Sequence, residues 1–322
     1  MTPLKALFIV TRTNEMHKHY ESWACLGHEF ETYTYTHPKG GNWPSGGKLD
    51  DEIIAAATNY KPDAIVYVGA CKSNTPSVDC FKRLRKDIAP TVHLCSDAED
   101  EPWWDELKLY DKEGCFSVQV SLDGSSSWPL KETQLTELTP IDPAHYPIPP
   151  KPHKDRTITF GFAGNPGSIS KLKDGRVTGR RPLVAEMIQF GLKHRPRDHE
   201  SIKGTYQKCA DYISDTRIMP NFPLTGSYER MHVKGRVVEV GLAGGCLLEM
   251  KGSPTPNFFE PGVDYLEWET TEEARQIVER LKDNPDETQA FGMRLWEKVK
   301  ANHGPDKFWG RILHRCGLNG AS

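Results

Sequence analysis

Residues 235–250 read GRVVEVGLAGGCLLEM, a run with the look of protein core that nonetheless carries Arg236 and Glu239. The two charges stand three positions apart, so on a helix they share one face, a turn above its start. Val237, Val240 and Gly241 make a second face, and Val238 with Leu242 a third, all apolar or small. Gly244 and Gly245 suit the left-handed cap that ends such a helix, and CLLEM then reads as a short buried strand. The charges therefore sit toward the helix N-terminus, where backbone N–H groups and the dipole favour an anion. Two readings stay open at this point: a ligand site at the helix start, or an internal salt bridge between Arg236 and Glu239.

Working outward, the same alternation of strand and helix fills the chain. LKALFIV (4–10) reads as a strand ending in the polar loop TRTNE, SWACLGHEF as a helix, and FETYTYT (30–36) as an alternating strand. DAIVYVGA is a continuous apolar run of the kind buried on both faces of a parallel sheet. Helix VDCFKRLRKDI, strand TVHLCS and strand-bearing CFSVQVSLDGS follow. LTPIDPAHYPIPPKPHK (138–154) holds six prolines and no periodic pattern, which predicts a stiff linker. After it come strand TITFGFAG (157–164), helices PLVAEMIQFGLK and GTYQKCADYIS, the strand-like TRIMPN, and three closing helices from Thr270 onward. Strands separated by helical stretches predict doubly wound α/β domains. The expected boundaries are an N-terminal Rossmann-like domain over 1–140, a linker over 141–154, a second Rossmann-like domain over 155–304, and a last helical segment over 305–322.

A chain of 322 residues is long for a single core, so two domains are expected. A net charge of −3 argues against a surface built wholly for nucleic acid, though not against a local basic patch. No run approaches the roughly 18–20 apolar residues that span a bilayer. The N-terminal apolar run is too short for a secretory signal, so a cytoplasmic location is expected. The eight cysteines show no C-x-x-C pair and no zinc-like spacing, which fits reduced, mostly buried thiols. His17 and His19 lack a third ligand nearby and read as a solvated helix start rather than a metal site.

In open parallel sheets, ligands bind beyond the carboxyl ends of the strands, so polar residues just after each strand are the candidates. Gly164, Asn165, Gly167 and Ser168 follow the strand at 157–164, where glycines let backbone amides approach an anion. KLKDGRVTGRR (171–181) brings five basic residues in eleven, suited to a diphosphate or an anionic acceptor, or simply to solvent. Arg180 and Arg181, near the next helix start, offer the bidentate fork that phosphate favours. In the first domain, CSDAEDEPWW (95–104) crowds Asp97, Glu99, Asp100 and Glu101 into one short loop. Mutual repulsion raises carboxyl pKa values there, which suits a general base and equally a metal. Trp103 could stack on a sugar ring or only pack the loop down. Arg12 and Asn14 in TRTNE, and Asp123 in SLDGS, complete the strand-end set.

Three segments in order now resemble a known family. KGRVVEVGLAGGCLLEM, FFEPGVDYLEW and TTEEARQIVERLKDNPDETQAFGMRLWEKVKANHG are similar to the C-terminal domain of glycosyl transferases group 1, in the branch that includes spore-maturation-type enzymes. The likeness covers about residues 205–313 and is looser elsewhere. It implies a GT-B fold: two Rossmann-like domains facing across a cleft, with the last helix, PDKFWGRILHRCGL, crossing back to the first. It implies that Glu239 holds the donor ribose hydroxyls and that Lys234 and Arg236 meet the diphosphate. The segment RIMPNFPLTGSY (217–228), with Arg217, Met219 and Asn221, would lie by the base. One departure stands out, because retaining members often carry a glutamate eight residues before the ribose one, and Met231 occupies that position. Stereochemistry stays open on this ground.

The resemblance thus implies a nucleotide-sugar-dependent glycosyltransferase, a hexosyl- or pentosyltransferase, with a UDP-sugar first among the donors. The acceptor is a hydroxyl on a polysaccharide, small molecule, protein or modified DNA. A DNA acceptor would use the basic stretch 171–181 and make activity salt-sensitive. Asp97 would be the base if the enzyme inverts, and Arg12, Asn14, Glu99, Asp100, Trp103 and Asp123 would hold the acceptor. No cofactor is expected beyond the donor, and a divalent metal is compatible with the acidic loop but not expected. The rivals are a nucleotide-sugar epimerase and a nucleotide- or sugar-binding protein without turnover. No dinucleotide fingerprint follows any strand, so a dehydrogenase is disfavoured.

Overall fold

The computed structural model describes residues 2–10, 19–35, 47–69, 75–96, 98, 103–124, 131–165, 167, 170–171, 177–195, 205–224 and 230–318. The chain divides into two compact units, Met1–Asp142 with Pro305–Ser322, and Pro143–Gly304. In unit 1 the strands are β1 (Lys5–Val10), β2 (Glu29–Thr34), β3 (Ala64–Gly69), β4 (Thr91–Cys95), β5 (Val118–Ser121) and β6 (Gln134–Thr136). They form one all-parallel sheet in the order β2-β1-β3-β4-β5-β6. Helices α1 (His19–Ala24), α2 (Gly47–Tyr60), α3 (Val78–Asp87) and α4 (Trp103–Glu113) connect them.

The period of two along β1 explains why the sheet needs cover on both sides. Ala6, Phe8 and Val10 join one core with Trp23, Val66 and Leu94, while Leu7 and Ile9 join another with Leu49, Ile53, Phe81 and Tyr110. The helix read in SWACLGHEF begins and ends earlier than its sequence suggested. α1 stops at Ala24, Gly27 takes a φ of +80° in the turn, and Phe30 is already in β2.

Unit 2 contains β7 (Ile158–Ala163), β8 (Ser170–Lys171), β9 (Val177–Thr178), α5 (Arg180–Gln189), β10 (Lys193–Arg195) and α6 (Thr205–Ser214). It continues with β11 (Thr216–Asn221), α7 (Gly235–Leu242), β12 (Cys246–Met250), β13 (Leu266–Trp268), α8 (Thr271–Leu281) and α9 (Pro285–Asn302). The main sheet, again parallel, runs β10-β7-β11-β12-β13, and β8 with β9 makes a separate antiparallel pair. The chain leaves β7 toward β10 and then crosses to β11, so the winding reverses between β7 and β11. That reversal is the topological switch point, where open α/β sheets bind ligands. The pairing of β11 with β7 comprises Thr216 opposite Ile158 and Ile218 opposite Phe160. Pro220 lies beyond it, and without an N–H it has no ladder bond to give.

The proline-rich segment is divided at the unit boundary, residues 138–142 belonging to unit 1 and residues 143–154 to unit 2. Arg156 is buried and donates to the carbonyls of Lys151, Thr216, Ala243 and Gly244. His153 bridges Thr288 Oγ1 and the Gly244 carbonyl at 2.8 Å each. Both side chains thereby meet the carboxyl end of α7, where unpaired carbonyls favour donors.

The last helix, α10 (Pro305–Arg315), belongs to unit 1. Phe308, Trp309, Ile312 and Leu313 complete the core beneath Phe8 and Trp23, and Trp309 Nε1 donates to Ser22 Oγ at 2.9 Å. Arg311 makes a bidentate pair with the buried carboxylate of Glu137. The described cysteines are free thiols; Cys80, Cys95, Cys115, Cys209 and Cys246 are buried, as the reading of them as mostly buried expects, while Cys25 is exposed. No described helix is long and apolar enough to cross a membrane.

Candidate donor site at the switch point of unit 2

The carboxyl end of β7 and the start of α7 meet through Arg236. Its Nη1 pairs with Glu239 Oε2 at 2.9 Å, and its Nη2 donates to the Ala163 carbonyl at the end of β7. Of the two readings left open by the sequence, the structure contains the internal salt bridge. The Glu239 side chain is wholly buried and that of Arg236 is 8 % exposed. The pair is enclosed because every residue of α7 from Arg236 to Leu242 is buried. The hydroxyls of Tyr146 and Tyr206 lie 3.2 Å apart beside it. Burial raises both phenols, and the charge of Glu239 raises them further. Burial opposes the charge on Arg236, but Glu239 holds it firmly as the cation.

Lys234 is the N-cap residue of α7, and its side chain makes no capping bond. Its ammonium lies against His232 Nε2 instead, and His232 N donates to the Pro223 carbonyl at 3.0 Å. After β7, Gly164 takes a φ of +154° and Asn165 Oδ1 accepts from Gly167 N at 2.8 Å. His194 meets the Gly164 carbonyl at 2.9 Å, and Arg180 donates to the Asn165 carbonyl at 3.1 Å. Gly164, Asn165 and Gly167 are thus held as one turn at the switch point. Of the two arginines offered by the sequence, Arg180 ties this turn to α5, whereas Arg181 is exposed.

Three expected donor residues stand elsewhere. Arg217 is the second residue of β11 and donates to the Lys282 carbonyl and to Thr159, at the amino ends of the strands. Four residues at about 3.3 Å each separate it from the carboxyl end, so it cannot line a site there. Met219 is 1 % exposed in mid-strand, part of the core. Asn221 does close β11, but its amide is engaged by Glu249 Oε2 at 2.8 Å. Glu249 was missed because CLLEM was read only as a buried strand. A carboxylate inside an apolar run was the available signal, the same one that singled out Glu239.

In unit 1, Trp103 packs with Trp104 over Cys95, Ala98 and Leu107, which is the packing role. Asp123 follows β5 and is buried. Arg12, Asn14, Asp97, Glu99, Asp100 and Ser168 lie outside the described residues. Among the described residues no group of three or more His, Cys, Asp or Glu is arranged to hold a metal ion. A groove of about 750 Å³ beside α6, lined by His145, Tyr146, Lys151, Gln207 and Asp211 among others, contains none of the expected donor residues.

Residues 173–314 match the family model described as glycosyl transferase-like. This stretch carries α7, β12 and most of unit 2. It is a glycosyl transferase-like domain. The fold of the whole chain is GT-B, with two parallel-sheet Rossmann-like domains. HepE from Anabaena, solved with UDP and glucose, is similar at a TM-score of 0.63 and 12% identity, over 98% of this chain and 99% of that one. A glycosyltransferase from Rickettsia africae aligns at 0.64 and 9% identity, over 99% and 100%. An alpha-glucosyltransferase bound to UDP and a 13-mer DNA with a central A:G mismatch aligns at 0.63 and 11% identity, over 98% and 100%. No curated protein sequence matches the chain. The glycosyl transferase-like domain therefore owes its assignment to the family match, and the distant structures support the architecture alone.

Proposed function

We propose that this protein transfers a sugar from a nucleotide-sugar donor, a UDP-sugar first, to an acceptor hydroxyl, with unit 2 binding the donor. The observation that carries the reading is the coincidence of the glycosyl transferase-like match with the β7/β11 switch point. In this reading the leaving diphosphate lies against the turn at Gly164–Gly167, the first-turn amides of α7 and the ammonium of Lys234. First-turn amides lack a partner one full turn back, so they are ready donors to an anion, apart from Val237 N, which donates to the Lys234 carbonyl at 3.0 Å. Charge that develops on the departing diphosphate is stabilised most by donors already in place. Arg236 acts from behind, fixing α7 against Ala163. Because Glu239 is buried beside Arg236, its contact with a ribose requires the surroundings of α7 to open as the donor enters. Unit 1 takes the acceptor; if the reaction inverts, Asp97 removes the acceptor proton, and if it retains, no such base is needed. The Anabaena relative was solved with UDP and glucose and the alpha-glucosyltransferase with UDP, which supports uridine as the first nucleotide to try.

The test is a thermal-shift series with UDP, GDP, CDP, ADP and TDP, each beside its common sugar conjugates. A ligand at 100 times its Kd stabilises by about 2.7 kcal/mol, a rise of a few degrees. The expected result is a shift with uridine ligands that is lost in Glu239→Gln. No shift with any nucleotide would remove the donor reading.

A further inference from the structure

Glu249 is the third charge of the opening stretch, and it stands next to last in β12 at 1 % exposure. It stands opposite Asn221 in the parallel register and accepts that amide through Oε2 at 2.8 Å. The hydroxyls of Ser253 and Thr255 also face it. Ser253 Oγ donates to Thr255 Oγ1 at 2.8 Å and accepts from Thr255 N at 3.2 Å. From this pair the chain folds into a tight turn: Asn257 N donates to the Pro254 carbonyl, and Phe258 N and Phe259 N to that of Thr255, all within 3.1 Å. Gly252 lies beside Met231, with 3.4 Å between Sδ and the place a Cβ would take. Glu267 stands opposite Glu249 on β13, and Tyr265, with Asp264 beside it, is within the influence of both carboxylates. Asn221, Ser253, Thr255, Glu267 and Tyr265 supply no positive charge, and the ammonium of Lys298 on α9 is taken by Asp264 Oδ2 at 2.5 Å.

We propose that Glu249 is a positioning residue for the donor site: as the neutral acid it fixes the 251–257 turn over the carboxyl ends of β11 and β12. The proposal rests on the donor reading of unit 2. A carboxylate deprived of water and of a cation is costly to ionise, so an ionised Glu249 gains by opening the turn to solvent, and a protonated one by keeping it closed. Burial pushes its pKa up to about 7, with the Asn221, Ser253 and Thr255 bonds working the other way and the Glu267 charge adding to the rise. The folded value lies above the ordinary 4.5, so this stabilisation is complete below 4.5 and is lost as pH climbs through 7.

The test is amide hydrogen exchange of Thr255, Asn257, Phe258 and Phe259 in the ligand-free protein between pH 5.5 and 8.5, expressed as protection relative to the free peptide. Wild type should hold its protection at low pH and lose up to about tenfold per unit above 7, the limit for one proton. Glu249→Gln, which keeps the shape without the charge, should remove the slope. A flat wild-type curve, or the same curve in both proteins, overturns the proposal, and the wild-type curve decides even if the variant folds poorly. UDP affinity over the same range separates the two failures. UDP's own ionisation is common to both proteins, so only the difference between their curves counts. Absence of UDP binding at every pH removes the donor reading, whereas binding with no pH-linked difference removes the connection from the turn to the donor.

Discussion

At the residue scale, Arg236 and Glu239 show how a charged pair comes to sit inside a core. Each removes the cost of burying the other, and Arg236 also satisfies the Ala163 carbonyl at the end of β7. Removing one partner leaves a buried charge uncompensated. Arg236→Met should therefore destabilise unit 2 by about 3–5 kcal/mol, measured by urea unfolding. The double variant Arg236→Met with Glu239→Leu should recover most of that loss. If the single variant costs no more than the double, the pair is not a buried mutual dependence, and Glu239 is better solvated than its enclosure implies.

At the scale of elements, α7 and α9 come together through glycines. A Cβ on Gly292 would lie 2.1 Å from the Gly244 carbonyl oxygen, which is backbone and cannot step aside. A Cβ on Gly241 would instead meet the Val299 side chain at 2.6 Å, and side chains can shift. An alanine in a helix interior gains about 1 kcal/mol over glycine. Overpacking typically costs about 1–3 kcal/mol or more, and a backbone contact takes the upper end. Gly292→Ala should thus lower stability despite the better propensity, and by more than Gly241→Ala does. Equal costs in urea unfolding would show that α9 has room to move away from Gly244. The consequence for function is that α7 is held from behind, by α9, His153 and Arg156, while its amino end faces the switch point.

At the scale of the whole molecule, each unit keeps a neutral histidine in its core. His93 in unit 1 packs against both Tyr67 and Phe116, whose rings also meet each other at 6.0 Å, and neither of its ring nitrogens has a hydrogen-bond partner. Burial brings its pKa down to about 3. His153 in unit 2 is also lowered to about 3, first by burial and then by the neighbouring Arg156. Both folded values lie below the ordinary 6.5, so the unfolded chain takes up these protons first. The stability they protect is complete above 6.5 and is lost as pH falls toward 3. The midpoint of thermal unfolding should drop between pH 7 and pH 4. His93→Phe, which fills the same stack without a titrating ring, should drop less. Parallel pH curves for the two proteins would exclude His93 as a contributor.

The amino-acid pattern alone determined that this chain is built from parallel α/β units, and that 235–250 is a helix running into a buried strand. Apolar runs such as DAIVYVG and the period of the helices are local, so they survive reading in one dimension. The candidate site was legible where a charge interrupted an apolar run, as at Arg236 and Glu239. It was illegible where the fold's direction mattered: Arg217 and Asn221 lie four residues apart, yet one stands at the amino edge of the sheet and the other at the carboxyl edge. Only the register of β11 on β12 brought Asn221 to Glu249, and only the packing of α7 on α9 and β12 turned Arg236 toward Ala163 and Glu239 instead of outward. Partners distant in sequence meet through the sheet. A side chain's neighbours depend on strand order and register, which no single segment contains.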